Sequence, residues 1–237
     1  MTGPRTTLRR FETLDALIDH LAIDIARRLT DAVAARGAAS LVVPGGATPA
    51  RLFDALAGQD APWDKVQVTG TDERWLPLGH PDTHQTLVRT RLLKGRAAQA
   101  TYISLKSASS TPAGAEPLVE SAVSRMPRPF DVTLLGMGDD GHIASLFPHA
   151  SGLEAALDPH SPLLVASFHV PTAAGSPDRM SLSLSALLDS RFLGVLITGA
   201  GKLDTLDRAE AGDDVQDMPV RALLQQSLTP VTVFWSA

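Results

Sequence analysis

Of 237 residues, 44% are apolar, 20% charged and 5% aromatic, a globular composition that excludes a disordered or fibrous chain. With no cysteine, a disulfide framework, thiolate metal sites and cysteine catalysis are excluded, so any chemistry falls to Ser, His, Asp, Glu, Lys and Arg. The formal charge is −5 and the 21 basic residues are dispersed rather than gathered in a stripe, which argues against nucleic acid as a partner. Asp15, Asp19 and Asp24 interrupt the N-terminal stretch, and the longest apolar runs, such as 192–200, fall short of the roughly 18–20 residues that span a bilayer. Neither a signal peptide nor a membrane segment is expected, and the chain reads as cytoplasmic.

From Leu14 the apolar residues Leu17, Ile18, Leu21, Ile25, Leu29 and Val33 recur every three or four positions, which predicts an amphipathic helix with Thr13 as N-cap and Gly37 as stop. A strand at 40–43 ends at Pro44-Gly45-Gly46 and leads into a helix through Leu52, Phe53 and Leu56. The alternation continues with a strand at 66–71, a helix at 85–93, a strand at 102–105, a helix at 117–125 and a strand at 131–135. Strands alternating with helices predict an α/β fold with a mainly parallel sheet and helices on both faces. After Pro148 strands are expected at 163–168, 179–184, 193–198 and 231–235, and helices at 202–210 and 220–226. The Ser/Pro/Gly-rich stretch 106–114 is too short for an inter-domain linker, so one domain over 1–237 is expected.

Four places can carry chemistry. Pro44-Gly45-Gly46-Ala47-Thr48-Pro49 joins a strand to a helix, where close backbone approach and free N–H groups suit a phosphate, although a plain tight turn explains it as well. Asp72-Glu73-Arg74-Trp75 follows a strand, where open α/β sheets bind ligands, although an isolated Asp-Glu-Arg is more often a solvated loop. Gly136-Met137-Gly138-Asp139-Asp140-Gly141 spells a dinucleotide fingerprint after a strand, but Pro148 cuts off the helix that fingerprint needs. The glycines instead present His142, which beside Asp139 and Asp140 can act as a base near neutral pH. Gly199-Ala200-Gly201-Lys202 lacks the Walker pattern, with Leu196 and Leu203 at the diagnostic positions, and Lys202 reads equally as an anion hook or a surface lysine. A nucleophile elbow, a zinc-hydrolase pattern and a clustered His/Asp metal pattern are all missing from the sequence.

Taken in order, these segments together with Ala144-Ser145-Leu146-Phe147-Pro148 and Pro177-Asp178-Arg179-Met180-Ser181-Leu182 have the spacing of the 6-phosphogluconolactonase family, which the sequence resembles over most of its length. The resemblance implies a modified Rossmann-like sandwich shared with glucosamine-6-phosphate deaminases. It implies hydrolysis of 6-phospho-D-glucono-1,5-lactone to 6-phosphogluconate in the oxidative pentose phosphate pathway, with no metal or organic cofactor. Position by position, it implies His142 as general base for the attacking water and Arg74 near the lactone end. Arg179, Lys202 and the turn Gly45-Gly46-Ala47-Thr48 match the phosphate-binding elements. Loop N–H groups over 136–141, at Gly136 and Gly138 among others, and Arg74 are expected to stabilise the oxyanion. Asp72 and Asp140 are expected to orient Arg74 or His142. A monomer taking a small phosphosugar lactone is expected, with weak self-association left open.

The sequence departs from that pattern in two places. Pro44 and Ala47 stand where the family usually carries serine, removing a hydroxyl worth around 1 kcal/mol if it made a net hydrogen bond. Thr83-His84 replaces the usual Ser-Asn, which leaves the task of His84 open. Rival readings are a deaminase or isomerase of the same fold, which typically carries an aromatic residue in place of Arg74, and a sugar-phosphate sensor, which has no need of His142. A dinucleotide-dependent oxidoreductase is a third.

Overall fold

The structure, a computed structural model, describes residues 6–237. The expectation about a signal peptide falls in part on residues 1–5, outside the described residues. In chain order the elements are β1 (Thr7–Phe11), α1 (Leu14–Arg36), β2 (Ala39–Val43), α2 (Ala47–Ala57), β3 (Val66–Gly70), β4 (Asp72–Arg74), α3 (His84–Arg91), β5 (Thr101–Tyr102) and α4 (Glu116–Val123). They continue with β6 (Val132–Leu135), α5 (Leu153–Ala156), β7 (Val165–His169), β8 (Asp178–Leu182), α6 (Leu184–Leu188), β9 (Leu193–Thr198), α7 (Ala200–Glu210), α8 (Val220–Gln225) and β10 (Val231–Ser236). No described helix is long and apolar enough to cross a membrane.

The α1 helix forms where its periodicity predicts. Thr13 accepts a hydrogen bond from the Ala16 N–H at 3.2 Å, and Gly37, at φ 78°, closes the far end by donating to the Val33 carbonyl. Leu17, Leu21, Ile25 and Leu29 are fully buried on one stripe.

Seven strands form one sheet in the order β1-β10-β9-β6-β2-β3-β5, and every pairing in it is parallel. Successive side chains of a strand point to opposite faces, so the sheet feeds two apolar layers. Leu41 and Val43 pack with α1 and α2 on one face, while Val42 packs on the other with residues of α4, α6 and α8. The strand order reverses between β2, whose chain runs on to β3 on one side, and β6, whose chain runs on to β9 on the other. Ligands of open α/β sheets bind outside the strand C-termini at such a reversal. Here the two flanking turns are Pro44-Gly45-Gly46 and Gly136-Met137-Gly138.

The structure differs from expectation in several places. The edge strand β1 was not predicted, since Thr-Leu-Arg-Arg-Phe carries two adjacent cations and little alternation. Charge on an edge strand blocks further pairing, so it weakens the signal while suiting the position. Asp72–Arg74, expected as a loop, pairs antiparallel with β8, and β8 with β7, in a separate three-stranded sheet. Short α5 and α6 were also unpredicted, and 143–147 makes turns rather than a short helix.

Candidate active site

The turns at the reversal and the small antiparallel sheet enclose a cleft of about 260 Å³. Gly45 and Gly46 line it from the end of β2, Gly136, Met137, Gly138 and His142 from the loop after β6, Asp72 and Arg74 from β4, and Arg179 from β8. His84, at the start of α3, and Phe147 complete the wall.

His142 is tied to Asp140 through one ring nitrogen and its backbone. Nδ1 donates to Asp140 Oδ1 at 2.6 Å, and the His142 N–H donates to the same oxygen at 3.1 Å. Burial raises the Asp140 carboxyl, but the hydrogen bonds and charge of His142 outweigh it and hold the group below the usual carboxylate range, so it is ionised and accepts. That fixes the proton on Nδ1 and leaves Nε2 as the lone-pair nitrogen. The Phe147 ring lies 4.2 Å from the imidazole centroid and 5.7 Å from the Arg179 guanidinium, so one aromatic ring backs both groups. Gly138 permits this arrangement. A Cβ there would lie 2.1 Å from His142 Nδ1 and 2.4 Å from Asp140 Oδ1. Gly138→Ala must therefore displace the pair, and because an ångström of misplacement can cost about 100-fold in rate, kcat is expected to fall by about that factor. Steady-state kinetics alongside thermal unfolding would check this, with the melting temperature expected to move far less than the rate.

Asp72 is the hub of the buried wall, at 4% exposure. Oδ2 accepts from Ser145 Oγ at 2.5 Å, Oδ1 accepts from Thr71 Oγ1 at 3.0 Å, and His84 Nδ1 lies 3.2 Å from Oδ1. Arg179 Nη1 stands 3.9 Å from Oδ2. Burial works to raise this carboxyl, and His84, Ser145 and Arg179 together hold it well below the usual carboxylate range. Ala144, just before Ser145, sits at φ 49° in the left-handed region, a conformation that costs roughly 1–2 kcal/mol outside glycine and here turns Ser145 toward Asp72. Glu73 faces the other way and caps α3: it accepts from the N–H groups of Arg74, His84 and Gln85, each at 2.8 Å.

Arg179 is 4% exposed, donates Nε to the Ser176 carbonyl at 2.9 Å and Nη2 to the Ala174 carbonyl, and so ties the 174–176 loop over the cleft. Arg74 donates Nη1 to the Asp82 carbonyl at 3.0 Å, while its buried Nε has no partner among the described residues. Nearby, Thr48 Oγ1 and Thr198 Oγ1 lie 3.5 Å apart, which brings together the N-terminal ends of α2 and α7. Among the described residues no group of three or more His, Asp or Glu side chains is arranged to hold a metal ion.

Residues 12–235 match the family of glucosamine-6-phosphate isomerases and 6-phosphogluconolactonases. The chain belongs to that family. A 6-phosphogluconolactonase of Rhizobium meliloti is 40% identical over 226 residues, covering 95% of this chain and 97% of that one. The crystal structure of a 6-phosphogluconolactonase from Shewanella baltica is 42% identical and superposes with a TM-score of 0.94 over 98% of both chains. A monomeric glucosamine-6-phosphate deaminase shares the fold at a TM-score of 0.77 and 17% identity, over 98% of this chain and 97% of that one.

Against this family pattern, the cleft gathers most of the residues singled out from the sequence. Gly45, Gly46, Asp72, Arg74, Gly136, Gly138, His142 and Arg179 all line it. Asp140 stands behind His142 as expected. Ala47 and Thr48 open α2 just outside the cleft wall, and Lys202 lies beyond it with Nζ 2.7 Å from Asp139 Oδ1. The Asp139 side of this pair is open to solvent, which screens it, so it does not prevent Lys202 from swinging to an anion. Two expectations need correction. Asp72 bonds neither Arg74 nor His142; it serves Ser145, Thr71 and His84. The N–H groups of Gly138 and Gly141 donate to the His142 and Gly138 carbonyls, so these two are consumed inside the loop rather than free for an oxyanion. Sequence reasoning gave no role to Ser145 or Phe147: the Asp72 partner of Ser145 lies 73 residues away, and an aromatic ring five residues after His142 carries no signal of contact with it. His84 carried one signal, its departure from the usual asparagine.

Proposed function

We propose that this chain hydrolyses 6-phospho-D-glucono-1,5-lactone to 6-phosphogluconate, the lactonase step of the oxidative pentose phosphate pathway, with His142 activating the water. The observation that carries the reading is the Asp140–His142 pair in the cleft: a fixed Nδ1 proton and a lone pair at Nε2. Nε2 takes a proton from water as its oxygen attacks the lactone carbonyl carbon, giving a tetrahedral oxyanion. When that collapses, the ring C–O bond breaks, and the imidazolium returns its proton to the departing ring oxygen. The acid formed then ionises. Arg74, with most of its guanidinium uncommitted, is the donor for the developing charge. Arg179, the N-terminal ends of α2 and α7, and Lys202 hold the phosphate, and that remote binding orients the carbonyl for attack.

Arg74 favours the lactonase over a deaminase of the same fold, and the tethered His142 favours an enzyme over a sensor. What supports a single domain over 1–237 is that both apolar layers pack on one sheet. The dispersed basic residues and the charge of −5 support a small-molecule partner rather than nucleic acid. The test is hydrolysis of freshly generated lactone, corrected for the spontaneous reaction. Acceleration that is strong for the phosphorylated lactone and much weaker for gluconolactone is expected; phosphosugar binding without acceleration would hand the reading to a sensor.

A further inference from the structure

His84 lines the cleft but has no part in the chemistry above. Its side chain is only 9% exposed, and its two nitrogens stand in different surroundings. Nδ1 lies 3.0 Å from the Asp72 carbonyl oxygen and 3.2 Å from Asp72 Oδ1, both acceptors, so Nδ1 carries a proton. Nε2 has no hydrogen-bond partner among the described residues. It lies against the Gly45 backbone, where a Cβ on residue 45 would sit 2.0 Å from it. The ring thus fills the space that a side chain at position 45 would take, and points a nitrogen at the turn that opens α2. Burial works against a charge on this ring, and the Asp72 carboxylate outweighs it, with Glu73 adding to the attraction and Arg74 opposing it; His84 is held above the ordinary histidine value. Arg179, from β8, faces the same carboxylate. The ring is largely buried but lines the cleft, and a nitrogen without a protein partner beside a helix N-terminus suits an anion there.

We propose that His84 is a phosphate-binding residue, donating Nε2–H to a phosphate oxygen of the substrate beside Gly45 and Gly46. In this chain it does the work of the hydroxyl that Pro44 and Ala47 cannot supply. The inference rests on the phosphosugar reading above and adds a specificity-determining contact to it. A lone acceptor nitrogen would repel the anion, so the contact requires the imidazolium, protonated on both nitrogens, and the Asp72 carboxylate beside Nδ1 and the phosphate beside Nε2 both favour that form.

Two measurements test this. The first compares His84→Asn, which keeps a donor toward Asp72 and removes Nε2, with wild type on phosphorylated and unphosphorylated lactone, and with inorganic phosphate as inhibitor. The ratio of kcat/KM values for the two lactones is expected to fall about 10- to 100-fold, with inhibition by phosphate weakened by a similar factor, the range set by hydrogen bonds to charged groups. An unchanged ratio, with both lactones losing equally, would overturn the proposal and leave His84 as a prop for Asp72. The second needs no variant and survives its misfolding: the His84 Nε2 resonance of the wild-type protein is followed by nitrogen-15 NMR as inorganic phosphate is added. A saturable shift is expected, and its absence would overturn the proposal. If wild type accelerates neither lactone, the lactonase reading fails, and the phosphate titration still decides His84.

Discussion

Replacing His142 by alanine is expected to lower kcat by about 100- to 10,000-fold, the range of a positioned general base, while the affinity for 6-phosphogluconate stays within about twofold. The two ring nitrogens of His142 have different tasks. Nδ1 is committed to Asp140, and Nε2 alone faces the cleft. The helix N-termini, Arg179 and Lys202 remain in place without the ring, so binding of the phosphorylated product persists. Among the described residues the side chain hydrogen-bonds only to Asp140, at an exposed position, so the fold tolerates its loss. Kinetics together with a calorimetric titration of product separate the two effects. Asp140→Asn tests the same pair with little change of shape: an amide does not stabilise the imidazolium that forms during attack and can turn its NH2 to Nδ1, so kcat is expected to fall here too.

The second large effect concerns stability. Asp72→Ala is expected to destabilise the fold by about 3–5 kcal/mol, because it strands the buried His84 and Arg179 cations and the Ser145 hydroxyl without their shared acceptor. That is a large part of the roughly 5–15 kcal/mol that holds a typical domain together. Urea unfolding would measure it, and the double variant with His84→Asn is expected to recover part of the loss, since one stranded charge is gone. The pH dependence has two sides. Asp72 lies below its unfolded value, so its contribution is present above about pH 4 and fades as pH falls through the native titration. His84 lies above its unfolded value, so its contribution is full below about pH 6.5 and fades as pH rises through the native titration. The stability gap between wild type and Asp72→Ala is therefore widest near pH 4–6.5 and narrows on both sides. A gap that kept widening toward pH 9 would contradict the pairing.

How much of this was legible in the sequence follows from the range of each interaction. Thr13, Gly37 and the apolar stripe of α1 act within a few residues of one another, and the helix formed where they place it. The turn after β2 and the loop after β6 were legible as ligand-binding candidates because glycines at strand ends are local features. That they meet at the strand reversal is a property of sheet order, which no local pattern carries. The antiparallel sheet of β4, β8 and β7 was hidden for the same reason: Asp72 pairs with Ser181, 109 residues away, and Asp-Glu-Arg by itself reads as a solvated loop. Glu73 is a long-range cap whose partner helix starts 11 residues later, beyond any capping-box spacing. Within the site, the Asp140 bond to His142 spans two residues and was readable; the Asp72 hub spans up to 107 residues, through Arg179, and was not.

In the proposed reaction water, activated by His142, attacks the lactone directly. Single turnover with enzyme in excess, in oxygen-18 water and faster than spontaneous hydrolysis, tests it by mass spectrometry of product and protein together. The account predicts one labelled oxygen in the product carboxylate and an unmodified, unlabelled protein. An acyl adduct on the protein, or label in one of its carboxylates with an unlabelled product, would show a covalent nucleophile and contradict it.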